Sequence, residues 1–341
     1  MSLEERKRMI LESIIKDYVQ TAEPVGSRAI VKKYDLKVSA ATVRNEMADL
    51  EEMGYLEQPY TSAGRIPSQL GYRYFVDILM EKEHLSAEEI DLLRKIFMES
   101  INDWGEVVNR VGYFLAQLTN YTSFIIMPAM EVNQFKHLQI VPMEDNKALV
   151  IVVTDAGLIM HRRIDIPDTI SPTELKSISQ VFNKTLINRN VNEMKKSDLS
   201  YLRDKLNNRR ILMDKVIETI DYLLNDTHDE KIIVSGMLNI LNEPEFKDVD
   251  KLKRILSVLE EDEVLKDIIP SEVSKQVDIK IGAENRAKEI QEMSVVLTGF
   301  KGFGELGRIG VIGPIRMEYW KAAGVVESLS DMIEELIREK F

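Results

Sequence analysis

The sequence predicts an α+β protein, with an N-terminal winged helix-turn-helix followed by an α+β domain that a largely helical insertion interrupts. Three observations carry this. The first 80 residues alternate helical apolar stripes with Ser and Gly punctuation and include a short hairpin pattern. Phe135 to Ile164 holds three runs rich in Ile, Val and Leu separated by Asp, Asn and Gly. Strand patterns return at Val277 to Pro314 only after a long charged, helical stretch.

In chain order, Leu11, Ile14, Ile15, Tyr18 and Val19 form one apolar stripe on a charged segment, a first helix over residues 3–20. Ala22-Glu23-Pro24-Val25-Gly26 breaks it, and Ser27 caps a short helix to about Tyr34, with Asp35 to Val38 as a tight connection. Ser39 is a good N-cap for a third helix, whose Val43, Met47 and Leu50 face inward, and Gly54 ends it. Tyr55 to Gln58, the turn Thr61 to Gly64 and the returning Arg65-Ile66-Pro67 complete a wing. Ser68 caps a linker helix carrying Leu70, Tyr74, Phe75, Ile78 and Leu79, and a boundary falls near Glu81 to Ser86.

Ser86 and Glu89 have capping-box spacing and open a helical region to about Thr119, with a break near Gly105. Phe135 to Pro142, Lys147 to Thr154 and Gly157 to Ile164 read as an antiparallel meander. Ser171-Pro172-Thr173-Glu174 starts a helix with cap, first-position Pro and third-position Glu in place. Charged amphipathic helices follow to about Leu224 and again over Val249 to Ile269. Strands then come at Val277 to Ile281, Val295 to Phe300 and Gly310 to Pro314, and Glu318 to Lys340 closes as a helix.

Composition narrows the function classes. With 341 residues, 44% hydrophobic and 30% charged, the chain is long enough for two or three domains and has a soluble protein's balance. It contains no cysteine, so disulfides and thiolate metal sites are excluded and a cytoplasmic location is expected. The charged start, Glu4 to Arg8, lacks the apolar core of a signal peptide, and no apolar run approaches the roughly 20 residues that cross a bilayer. A net charge of −12 argues against a uniformly basic surface, but Pro24 to Arg73 carries seven basic residues against six acidic, so the acidity lies mostly elsewhere.

Away from Val43 and Met47, the third helix offers Ala40, Ala41, Thr42, Arg44 and Asn45 behind Ser39. Small side chains permit close approach to a major groove, Arg pairs with guanine and Asn with adenine. Ser27 and Arg28 are placed to hold phosphates, and the wing adds Thr61, Ser62, Gly64 and Arg65 for phosphate or minor-groove contact.

Specific runs sharpen this reading. Pro24-Val25-Gly26-Ser27, Ser39 to Met47, Leu50-Glu51, Gly54-Tyr55-Leu56 and Thr61 to Pro67 resemble the HrcA family of heat-inducible transcription repressors. So do Ser235-Gly236, Asn239-Ile240-Leu241, Pro244-Glu245-Phe246, Ile281 to Asn285 and Gly310 to Tyr319, so the resemblance spans nearly the whole chain. Ile315 departs from it, since Thr is expected there, and touches no proposed DNA contact.

The resemblance implies a winged helix with its linker (1–83), a GAF-like domain (84–187 and 275–341) and an inserted dimerisation domain (188–274). It implies a homodimer that represses class I chaperone operons at an inverted-repeat operator of CIRCE type, with the GroEL chaperonin modulating its activity. In the insertion, Leu199, Leu202, Leu206, Ile211, Val216, Ile220 and Leu223 fit either a dimer seam or an internal core. The alternative reading keeps the winged helix but makes the GAF-like domain a small-molecule sensor.

Other signals lead nowhere. Gly302 to Gly307 satisfies the dinucleotide fingerprint, but Arg308 to Pro314 reads as a strand where a helix is required. His84, His137, His161 and His228 are scattered, with no ligand spacing for a metal. No nucleophile elbow or phosphate-binding loop is present, so neither an enzyme nor a cofactor is expected.

Overall fold

A computed structural model describes residues 4–34, 36–99, 104–128, 135–154, 159–186, 210–225, 230–270, 273–302 and 305–340. They fall into two compact units, one of Met1–Ile126, Ile232–Phe300 and Leu306–Glu334, the other of Met127–Lys231, Lys301–Glu305 and Glu335–Phe341. Helix and sheet are mixed in both, as expected of an α+β chain.

The first unit begins with a head of three helices, α1 (Glu5–Thr21), α2 (Ser27–Lys33) and α3 (Ala40–Glu52). Ile10, Leu11, Ile14 and Ile15 of α1 are buried, as are Ile30 of α2 and Val43, Met47 and Leu50 of α3. Each such side chain contributes roughly 1.5–3 kcal/mol by leaving water, which holds three short helices together that would not persist alone. Ala22, at φ 55, ends α1 in the left-handed region. Gly26, not Ser27, occupies the N-cap of α2, and Ser27 is its first helical residue.

Two short antiparallel strands, β1 (Leu56–Glu57) and β2 (Ile66–Pro67), follow α3. Ser68 then caps α4 (Gln69–Tyr74) by accepting from the Gly71 amide at 3.0 Å. The last turn, Phe75–Leu79, widens, and the Met80 amide reaches back to the Phe75 carbonyl at 2.8 Å. Next come α5 (Ala87–Glu99), opened by the expected Ser86–Glu89 capping box, and α6 (Trp104–Thr119).

The same unit holds a five-stranded sheet built largely from distant segments: β3 (Thr122–Met127), β7 (Lys231–Ser235), β8 (Asp278–Ile281), β9 (Met293–Gly302) and β10 (Glu305–Pro314). Their order is β7-β3-β10-β9-β8, with β3/β10 and β8/β9 antiparallel. The sequence pattern did not reveal β3 or β7. Both faces of β9 are buried, so helices cover the sheet on each side.

On one face, Phe124, Val295, Leu297 and Ile312 pack with Ile255, Val258, Leu259 and Leu265 of α9 (Val249–Glu260) and α10 (Asp262–Ile268). On the other lies α11 (Tyr319–Lys340), where the Tyr319 hydroxyl meets that of Ser294 at 2.7 Å. The glycine fingerprint sits between β9 and β10, two neighbouring strands, with Phe303 and Gly304 outside the described residues.

The second unit is the expected meander, β4 (Phe135–Met143), β5 (Lys147–Thr154) and β6 (Ile159–Asp165), antiparallel throughout. Alternate residues Ala148, Val150 and Val152 of β5 are buried against α7 (Pro172–Leu186) and α8 (Arg210–Asn225). The start of α7 carries its capping box, with Glu174 accepting from the Ser171 amide at 2.8 Å. Asn183 of α7 both accepts from Leu138 N at 2.6 Å and donates to Leu138 O at 2.9 Å, satisfying backbone on the edge strand β4. Val216 and Ile220 belong to this internal core, whereas Leu199, Leu202 and Leu206 lie outside the described residues.

Candidate nucleic-acid interface

The orientation of α3 follows from its two faces. Ser39 accepts from the Thr42 amide at 3.1 Å, and its hydroxyl lies 2.9 Å from that of Thr42, so the first turn is fixed by the cap read from sequence. With Val43, Met47 and Leu50 buried, Ala41, Arg44 and Asn45 are exposed, and Ala40 and Thr42 are half-buried beside them. Ser39 is exposed as well, so all six residues expected to meet bases keep solvent access at the start of α3.

A buried ion pair sets the depth of that helix. Glu46, only 5% exposed, accepts from Arg6 Nε at 2.7 Å and pairs with Lys7 Nζ at 2.7 Å, and Lys7 also reaches Asp49 at 2.9 Å. Lys7, followed by Arg6, holds the Glu46 carboxyl below its usual range against the opposing cost of burial. The start of α1 is thus tied to the inner face of α3 by charge as well as by its apolar stripe.

The wing is built on Arg65 and Gly64. Val25 and Arg65 exchange both backbone hydrogen bonds at 2.9 Å, which adds the connection between α1 and α2 to the β1/β2 pair. A Cβ on Gly64 would lie 2.3 Å from the Val25 carbonyl oxygen, so glycine is required by this approach. The Arg65 guanidinium turns to α3 and pairs with Glu51, Nε at 2.9 Å and Nη2 at 2.7 Å. At the tip, Gln58 donates to the carbonyls of Thr61 and Ala63, both at 3.1 Å, while Tyr60, Thr61 and Ser62 are exposed.

Two sets of cations stand out in the head. Arg6, Lys7, Lys33, Arg65 and Arg73 are engaged by carboxylates. Arg28, Lys32, Lys37 and Arg44 are exposed, and their side chains have no ion pair or hydrogen bond among the described residues. Arg28 and Lys32 are four apart on α2, and Lys37 lies in the turn before α3. Lys32 and Lys37 were absent from the sequence-based site, although the i, i+4 spacing on a short helix was a signal for the first of them.

Fold and surface together define an α+β chain of two units whose N-terminal three-helix head exposes Arg28, Lys32, Lys37 and Arg44 without an ion pair among the described residues. Comparison with known proteins makes the class specific. A family model described as "HrcA protein C terminal domain" matches residues 105–323. The chain is 45% identical over 339 residues to the heat-inducible transcription repressor HrcA of Carboxydothermus hydrogenoformans, covering 99% of each. It is 43% identical over 344 residues to the protein of that name from Pelotomaculum thermopropionicum, again 99% of each, and 39% identical over 343 residues to that of Moorella thermoacetica, 100% of each. The chain belongs to the HrcA family. A crystal structure described as that of a hypothetical protein shares the fold along the whole of both chains, with a TM-score of 0.72 at 20% identity.

Proposed function

We propose that this chain represses heat-shock gene transcription by binding, as a homodimer, an inverted-repeat operator of CIRCE type upstream of class I chaperone operons. The observation that carries the reading is the exposed face of α3, with Arg44 and Asn45 beside Ala41 and with Arg28, Lys32 and Lys37 nearby and unpaired among the described residues, in a chain whose relatives are named heat-inducible transcription repressors. The head (1–83) acts as a winged helix-turn-helix. Ser39, Ala40, Ala41, Thr42, Arg44 and Asn45 enter the major groove, and Ser27, Arg28, Thr61 and Ser62 meet phosphates or the minor groove. Gly64 and Arg65 support the wing, because their close approach and ion pair are directed into the head.

Residues 84–187 with 275–341 form a GAF-like domain and 188–274 the dimerising segment, a functional division that does not coincide with the two compact units. Leu238, Leu241 and Val249, exposed at 71%, 53% and 61%, give that segment apolar surface for a partner copy. The family resemblance extends the reading to GroEL, which keeps the repressor active until heat occupies it. Among the described residues no helix is long and apolar enough to cross a membrane.

The test is a titration of the purified chain, with and without chaperonin, against a labelled inverted repeat and a scrambled duplex at several salt concentrations. Specific binding strengthened by chaperonin is expected. Equal affinity for both duplexes under either condition overturns the reading and favours control by a small molecule.

A further inference from the structure

The head is gripped at two places by the unit to which it belongs. At the linker helix, Arg73 donates through Nε to Glu284 at 2.9 Å, through Nη2 to Glu284 and to the Ile279 carbonyl, and through Nη1 to Asp77 at 3.0 Å. Glu284 is itself held by the Ile281 amide at 2.8 Å, and Gln69 accepts from the Ala283 amide at 3.0 Å. Gly282, at φ +54, adopts the left-handed conformation that favours glycine, with the Gln69 carboxamide packed against it. Beneath them Asn285, buried, donates to the carbonyls of Gly282, Ile290 and Met293 and fixes the loop to the sheet.

At the end of α1 the arrangement repeats with other residues. Arg316, two residues past the end of β10, donates to the Val19 carbonyl in the last turn of α1, while Glu245 at 2.6 Å and Glu243 at 2.7 Å neutralise it. Val19 O is one of the carbonyls that a helix end leaves without an intrahelical partner, the place where a cation is most favourable. The Arg316 side chain is 11% exposed, so water does not screen this pairing as it does a surface bridge. Between the two grips, Tyr72 packs on Tyr319 at 5.7 Å and Phe75 on Trp320 at 5.9 Å.

We propose that Arg73 and Arg316 are positioning residues which lock each head in one orientation and thereby set the half-site spacing that a dimer of this chain accepts. The inference rests on the homodimeric, inverted-repeat reading above. A head free to swivel reaches half-sites at several separations, whereas heads each clamped at both α1 and α4 present α3 at one separation and one rotational phase. Linked binding gains its avidity only where the geometry permits both sites to be filled together. Neither arginine lies on the α3 face or the wing, so their loss leaves the base contacts of a single head intact.

The experiment measures wild type, Arg73→Gln, Arg316→Gln and the conservative Arg316→Lys on three duplexes: one half-site, the full repeat, and the repeat with its spacer changed by about 5 base pairs, half a helical turn. Wild type is expected to lose on the order of 100-fold on the altered spacer relative to the native one, the avidity of the second head. The glutamine variants lose less than about tenfold of it, bind the single half-site within about twofold of wild type, and Arg316→Lys falls between.

The half-site duplex separates a swivelling head from an unfolded one, since an unfolded head loses all three targets. If a glutamine variant fails on the half-site, the Arg73→Lys substitution, which keeps the charge but not the bidentate fork, takes its place under the same criterion. Spacing dependence in the variants equal to that of wild type overturns the positioning role while leaving the repressor reading intact. Absence of any preference by wild type for the full repeat overturns that reading instead.

Discussion

The outward face of α3 and the wing carry the same kinds of residue, yet the structure uses them differently. Arg44 on α3 is exposed and unpaired among the described residues, whereas Arg65 on the wing is spent on Glu51 and lies against Val25. Thr42 supports the helix cap beside exposed Asn45, while Gly64 is there because nothing larger fits. A cation or a glycine that the sequence pattern assigns to DNA contact can thus also be held by neighbours within the fold, and those neighbours lie 14 and 39 residues away in sequence.

The largest test of this contrast is Gly64→Ala. The new methyl group meets backbone, which cannot rotate away, so a destabilisation of about 3 kcal/mol is expected, at the upper end of overpacking costs. Urea unfolding measures it, and an unchanged midpoint would show that the wing is not pinned to Val25. Ala41→Gly, on an exposed site of α3, serves as the scale for an ordinary helical substitution at about 1 kcal/mol.

Arg44→Ala sharpens the comparison from the binding side. It is expected to weaken operator binding by about 1–3 kcal/mol, to relax preference at one base pair, and to leave thermal stability nearly unchanged. Arg65→Ala should do the reverse, with about 0.5–1 kcal/mol of stability lost with the Glu51 pair and no change in base preference. Equal loss of base preference in the two variants, by competition among single-base operator variants, would break the distinction between the two regions.

Lys32→Ala and Lys37→Ala probe the cations that the motif reading omitted. Each is expected to reduce the slope of log affinity against log salt by about 0.9 while weakening specific and scrambled duplexes alike. A slope that stays at the wild-type value in the double variant would remove α2 and its turn from the phosphate track.

These contrasts mark what was legible in the chain. Ser39, Ser68, Ser86 with Glu89, and Ser171 with Glu174 announced their helices correctly because a cap is satisfied within three residues. The β4–β6 meander was legible for the same reason, each strand pairing with the next. The five-stranded sheet was not: β3 sits between β7 and β10, so no local pattern discloses its neighbours, and β7 is only five residues long. Gly26 displaced Ser27 from the cap of α2, since either residue satisfies the sequence rule. The candidate face of α3 followed from periodicity, but the partners of Arg65, Arg73 and Arg316 are set by folding and had no local signal.

The smallest effect concerns what supports α3 from within. The Glu46 carboxyl titrates below its ordinary value of 4.5 in the folded head because Lys7 and Arg6 stabilise its charge. Between its folded value and 4.5 the unfolded chain binds more protons, so stability rises with pH through that window. Its contribution is complete above 4.5 and disappears as the pH falls through the folded value. Melting temperature followed from about pH 6 to about pH 3 should therefore fall more steeply for wild type than for Glu46→Gln, which has no charge to lose. Parallel curves would mean that the apolar stripe of α1 alone seats α3, and that Arg6 and Lys7 are as free as Arg44 to face a phosphate.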